Sequence, residues 1–232
     1  MKNFKKKAKH VVTVGFLAFS TWACAGAYED FFKAIHFDRE QELALLIARG
    51  MDPNTPNEKG VPALMVALTT GAPNSALLLA KHPKTIIEFE NSVGETPLML
   101  AAFQNHRALC EVLIERQAAV NRKGWTPLHY AATKGNIGIM RLLLEENAYI
   151  DAESSNGTTP LMMAAYYGSP LSVKLLLEEG ADPNLRNQGN ASALDLALAA
   201  ERHQSAMYIR AFIEAWELQE IREREAAEAT TR

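Results

Sequence analysis

The chain has 232 residues, 48% of them hydrophobic, 22% charged and 8% aromatic, with a formal charge of -3. That length fits one ordinary core or a short array of small units. Five lysines and no acid lie in the first 27 residues, so the remainder is acidic by eight charges. This argues against nucleic acid as a ligand, because a phosphate backbone is held by a basic face.

Residues 1–27 read as a secretory signal. A lysine-rich start precedes an apolar run from Val11 to Phe19. Small residues follow at Ala23, Ala25 and Ala27, an A-x-A pattern that places cleavage after Ala27 or Ala25. The run is too short to span a bilayer comfortably, so no membrane insertion is expected after cleavage. Cys110 is then the one remaining cysteine, and a single cysteine cannot close an internal disulfide. It lies in the amphipathic run "ALCEVLIE" and reads as buried packing.

From Tyr28 onward one pattern recurs. "GETPLMLAA" (94–102), "GWTPLHYAA" (124–132) and "GTTPLMMAA" (157–165) are clear copies. "GVPALMVAL" (60–68) and "NASALDLAL" (190–198) are degenerate ones, and "YEDFFKAI" (28–35) is a worn first copy. The position of the Thr recurs at intervals of 33, 34, 30, 33 and 33 residues. A fixed period of that length means stacked supersecondary units. Thr96, Thr126 and Thr159 are predicted helix N-caps, each hydroxyl accepting from an otherwise unpaired backbone N–H. Pro97, Pro127 and Pro160 take the first helical position, where no N–H is needed. The paired alanines after them leave room for a second helix. Gly71, Gly135 and Gly168 are predicted to stop the first helix by adopting the left-handed conformation. "IMRLLLEE" (139–146) and "SVKLLLEE" (172–179) carry leucines at helical spacing, and "GMDPN" (50–54) and "GADPN" (180–184) turn the chain into an extended finger.

These motifs closely resemble the ankyrin repeat, T-P-L-H-x-A-A, a second helix, then G-A-D-x-N, from Tyr28 to Phe212. With a signal in front, the chain looks like the periplasmic ankyrin-repeat proteins of Gram-negative bacteria. The resemblance implies an all-α ankyrin-repeat solenoid of about six helix-turn-helix units with extended finger loops. The repeats are expected near 28–60, 61–94, 95–124, 125–157, 158–190 and 191–217, followed by a helical extension and tail over 218–232. The family's His helps to tie neighbouring repeats together, a role that passes here to His129 alone, since its counterparts are Met65, Met99, Met162 and Asp195. Repeat two has "KHPKTIIEF" (81–89) in place of the turn, with Ile86 and Ile87 expected to tuck under an irregular finger.

Nothing in the sequence converges on chemistry. There is no phosphate loop, no H-E-x-x-H, no paired-cysteine motif and no G-x-S-x-G, and the six histidines are scattered. No catalytic residue, metal or cofactor is therefore expected. In the family, partner contacts come from the finger tips, the residue before Thr-Pro and the two residues after the Ala pair. Carried to this sequence, these give Lys123 on a finger, Glu95, Trp125 and Thr158 before the Thr, and Phe103, Thr133, Lys134, Tyr166 and Tyr167 after the alanines. The aromatics Phe103, Trp125, Tyr166 and Tyr167 fall in three successive repeats and are expected to form one patch. Tyr130 is read as core. The finger before Thr126 is three residues shorter than its counterparts, which predicts a notch with Trp125 at its base and Lys123 at its lip. Trp125 either contacts a partner there or fills the gap. The expected function is non-catalytic binding of another periplasmic or envelope protein, to hold, inhibit or stabilise it, by a chain that is monomeric when unbound. The alternatives are a scaffold self-assembling through the C-terminal helix, a small-ligand protein or an enzyme.

Overall fold

The structure is a computed structural model that describes residues 26–230. The predicted signal as far as Ala25 lies outside the described residues. Two compact units divide at Ile86 and Ile87.

Among the described residues the first unit holds four helices: α1 (26–36), α2 (Glu40–Ala48), α3 (Ala63–Thr70) and α4 (Pro73–Lys81). Phe31, Ala34 and Ile35 are fully buried on one stripe of α1, the 3–4 spacing of a helix packed on a core. Asp38, in the turn after α1, ties this pair to the next. Its carboxylate accepts from the Ser75 amide at 2.8 Å and from Asn74 Nδ2 at 2.8 Å. Burial works against that charge, but these bonds hold the Asp38 carboxyl below its usual range.

The second unit holds α5 (Pro97–Phe103), α6 (Arg107–Glu115), α7 (Pro127–Lys134), α8 (Ile137–Glu145), α9 (Pro160–Tyr166), α10 (Pro170–Glu178), α11 (Ala193–Ala199) and α12 (His203–Thr230). The first helices α5, α7, α9 and α11 pack side by side, as do α6, α8, α10 and α12. Helices of seven to nine residues do not persist alone in water, so each depends on its neighbours. Leu98, Leu128 and Leu161 are at most 1% exposed, each contributing about 2 kcal/mol by leaving water. Cys110 is buried, and burial pushes its thiol up to about 12, so it is packing. Among the described residues the fold is all-α, with no β-structure beyond two isolated bridges.

Three local expectations change. The Thr96 and Thr159 hydroxyls accept from the Met99 and Met162 amides at 3.4 and 3.3 Å, but the Thr126 hydroxyl pairs with the His129 ring instead. Gly71 and Gly135 end their helices at φ 71 and 68, whereas Gly168 has no left-handed backbone. Gly168 is required by close approach, because a Cβ there would lie 2.5 Å from the Ala132 carbonyl oxygen. Ile87 is buried, but Ile86 is 55% exposed, its amide donating to Asn54 Oδ1 at 2.7 Å and turning the side chain outward.

Candidate functional site

His129 is fully buried on α7 and joins two helix pairs. Its Nδ1 lies 3.2 Å from the Thr126 amide and 2.8 Å from the Thr126 hydroxyl, and its Nε2 lies 2.9 Å from the Thr158 carbonyl oxygen. A carbonyl oxygen can only accept, so Nε2 carries the proton and Nδ1 accepts from the amide. Burial lowers the pKa of His129 to about 4, holding the ring neutral. Trp125 is half-buried and packs edge-on against this ring, the centroids 5.1 Å apart. The equivalent methionines make part of this arrangement. Met99 Sδ accepts from the Thr96 amide at 3.4 Å and Met162 Sδ from the Thr159 amide at 3.5 Å. A thioether has no proton to donate to the next repeat. Asp195 likewise accepts from the Ser192 amide, at 2.9 Å.

The short loop before α7 lacks the tip turn found elsewhere. In the full fingers the first tip residue donates its amide to the carbonyl four residues on, as in Asn91 to Glu95 and Ser154 to Thr158. Asn121 instead bonds the next repeat, donating Nδ2 to the Asn147 carbonyl at 2.7 Å while Oδ1 accepts from the Tyr149 amide at 2.7 Å. Asn54 makes the same pair of bonds, to Lys84 and Ile86, so the missing residues are the tip itself. Arg122 reaches back to the preceding finger, 2.6 Å from Glu90 Oε1 and 3.2 Å from the Gly94 carbonyl. Lys123 is exposed beside the half-buried Trp125.

The four predicted aromatics do not form one cluster. Their ring contacts fall into three separate pairs: Phe103 with Tyr130, Trp125 with His129, and Tyr166 with Tyr167. The cause is helix direction. Asn136, after α7, donates to the Ala102 carbonyl at the end of α5, and Arg122, before α7, reaches Gly94 before α5, so these helices run parallel. A residue before Thr-Pro and one after the Ala pair then sit at opposite ends of a helix about 12 Å long.

At the C-terminal end of α5, Phe103 is 37% exposed and the Lys134 ammonium lies 4.6 Å from its ring centroid, a cation–π contact. Tyr166 and Tyr167 project at the end of α9, 36% and 55% exposed. Glu95 is half-buried, accepting from the Tyr130 hydroxyl at 3.1 Å and Asn91 Nδ2 at 2.7 Å. Thr133 donates its hydroxyl to the His129 carbonyl within its own helix, and Thr158 is buried at 7%. Tyr130 is half-buried rather than core, and burial followed by the Glu95 charge pushes its phenol up to about 12. Its position in the motif gave no signal of this; the pairing needs Glu95 from the preceding repeat.

The first unit holds a further surface, one that no repeat motif marks. A groove of about 580 Å³ is lined by Tyr28, Phe32 and Phe37 on and after α1, Val66 on α3, and the finger residues Glu58 and Lys59. The rings of Tyr28 and Phe32 are 5.0 Å apart. Tyr28 and Phe32 stand at i, i+4 spacing in the worn first copy, one turn apart on α1. Among the described residues there is no group of three or more His, Cys, Asp or Glu side chains able to hold a metal, and no helix long and apolar enough to cross a membrane.

The family described as "Ankyrin repeats (3 copies)" matches residues 31–123, 84–154, 117–187 and 146–211. The mouse ankyrin repeat and SAM domain-containing protein 6 is 42% identical over 109 residues, which cover 45% of this chain and 12% of that protein. The zebrafish putative palmitoyltransferase ZDHHC13 is 32% identical over 120 residues, 48% of this chain and 18% of that protein. The match therefore spans less than a fifth of either relative. The crystal structure of the human ASB11 ankyrin repeat domain superposes with a TM-score of 0.70 at 27% identity, covering 78% of this chain and 81% of that one.

Proposed function

Because this chain belongs to the ankyrin-repeat family, whose domains are in general non-catalytic modules of protein–protein interaction, we propose that it holds, inhibits or stabilises another protein of the bacterial envelope. The observation that carries this reading is the exposure of Phe103, Tyr166 and Tyr167 at the C-terminal ends of α5 and α9, in a protein with few aromatics. Such side chains remove much apolar area from water at low entropic cost, which is why they dominate binding hot spots. Lys134 supplies a charged neighbour at the same helix end, its ammonium over the Phe103 ring, while Glu95 and Lys123 lie at the finger end. Trp125 takes the gap-filling role against His129 in this proposal. The aromatic groove of the first unit is a second surface for the same work. A partner that binds the folded form also stabilises it by mass action.

The periplasmic setting rests on the lysine-rich, apolar and A-x-A segments ahead of Tyr28. N-terminal sequencing of the protein from a periplasmic fraction tests it: a start at Tyr28 or Gly26 supports export and cleavage, and an intact Met1 in the cytosol contradicts them. Affinity capture from a periplasmic extract tests the binding face. The wild type should retain a protein that a folded Phe103→Ala, Tyr167→Ala variant loses. Equal retention by both moves the site elsewhere.

A further inference from the structure

Helix α12 has 28 residues, where the other second helices have nine. It packs on α10 and α11. Among its described side chains the buried ones, Ser205, Ala206 and Ile209, lie near its start. Beyond them Leu218 and Ile221 are 56% and 50% exposed. They continue a stripe with Met207, Ala211 and Glu214, spaced 4, 3, 4 and 3 residues apart, the seam of a paired helix. Near the start of the stripe lies a recess of about 390 Å³, lined by Leu198, His203, Met207, Arg210, Ala211 and Glu214 among others. Leu198 and Met207 are 42% and 57% exposed in it. One helix face thus carries both a hollow with exposed Leu198 and Met207 in its lining and exposed Leu218 and Ile221 further along.

We propose that this face docks on the same face of a second copy, with the two α12 helices antiparallel about a dyad between Phe212 and Ile213. Leu218 of each copy lies against Met207 of the other, and Ile221 reaches the recess beside Leu198. Charge selects this register. Antiparallel helices juxtapose the flanking positions 210 and 217, so Arg210 of each copy faces Glu217 of the other, twice by symmetry. Sliding one heptad apart puts Arg210 opposite Arg224 and Glu217 opposite Glu217. A parallel pairing stacks Glu214 on Glu214 in the seam. Leu218 and Ile221 stay in contact with water in the single chain, and a second copy would cover them.

Sedimentation velocity of the purified chain over a wide concentration range tests this. The expected result is a monomer–dimer equilibrium, weakened about tenfold or more by Leu218→Asp with Ile221→Asp. Arg210→Glu and Glu217→Arg should each weaken the dimer, and the two together should restore it, a rescue that loss of helix alone does not give. A monomer at every concentration overturns the proposal and leaves the face to a different protein. A dimer indifferent to these substitutions, or one that the double charge swap does not rescue, also overturns it. The capture experiment above reads Phe103 and Tyr167, so the two readings fail separately.

Discussion

The joint between α7 and α9 and the joint between α9 and α11 use the same frame with different chemistry. At the first, His129 accepts from Thr126 behind it and donates to the Thr158 carbonyl ahead. At the second, Met162 accepts from the Thr159 amide at 3.5 Å and has nothing to donate forward. Both side chains are 1% exposed or less. Burial and shape therefore suffice to stack a repeat, and the imidazole adds a polar tie at one place only. That place adjoins the shortened finger, which lacks the tip turn and where Trp125 packs edge-on against the ring.

The largest effect should come from removing the tie. His129→Ala leaves the Thr126 amide without its acceptor, removes one of the two donors to the Thr158 carbonyl and opens a cavity, costing about 4 kcal/mol, read by denaturant unfolding. Acid probes the same contrast. The folded pKa of His129, about 4, lies below its unfolded value of 6.5, so the unfolded chain takes up a proton first. The His129 contribution is complete above pH 6.5 and is lost as pH falls towards 4, by about 3 kcal/mol in all. His129→Met should flatten that segment of the stability profile. A smaller loss, about 2 kcal/mol, is expected for Gly168→Ala, which presses a methyl on the Ala132 carbonyl at the other end of the α7–α9 contact. Smallest is a gain: Met162→His should add about 1 kcal/mol if the second joint accepts the same donor geometry, and thermal unfolding reads it.

The helices and most of their caps were legible because they depend on local chemistry: Thr before Pro, leucines at helical spacing, Gly after the last turn. His129 as the inter-repeat tie was legible too, through the family motif. What was missed depends on neighbours. The reason for Gly168 lies in Ala132, 36 residues away. The partner of Tyr130 is Glu95, and the outward turn of Ile86 is set by Asn54. The single aromatic patch failed because motif offsets were treated as neighbours without following helix direction; Trp125 precedes α7, while Phe103 and Tyr166 end α5 and α9.

The most direct measurement places Trp125→Ala in both assays at once, thermal unfolding and capture from a periplasmic extract. The account predicts a lower unfolding midpoint, with the captured protein still retained at a temperature where the variant is folded. An unchanged midpoint with capture lost would make Trp125 the partner contact and contradict its place in the His129 joint.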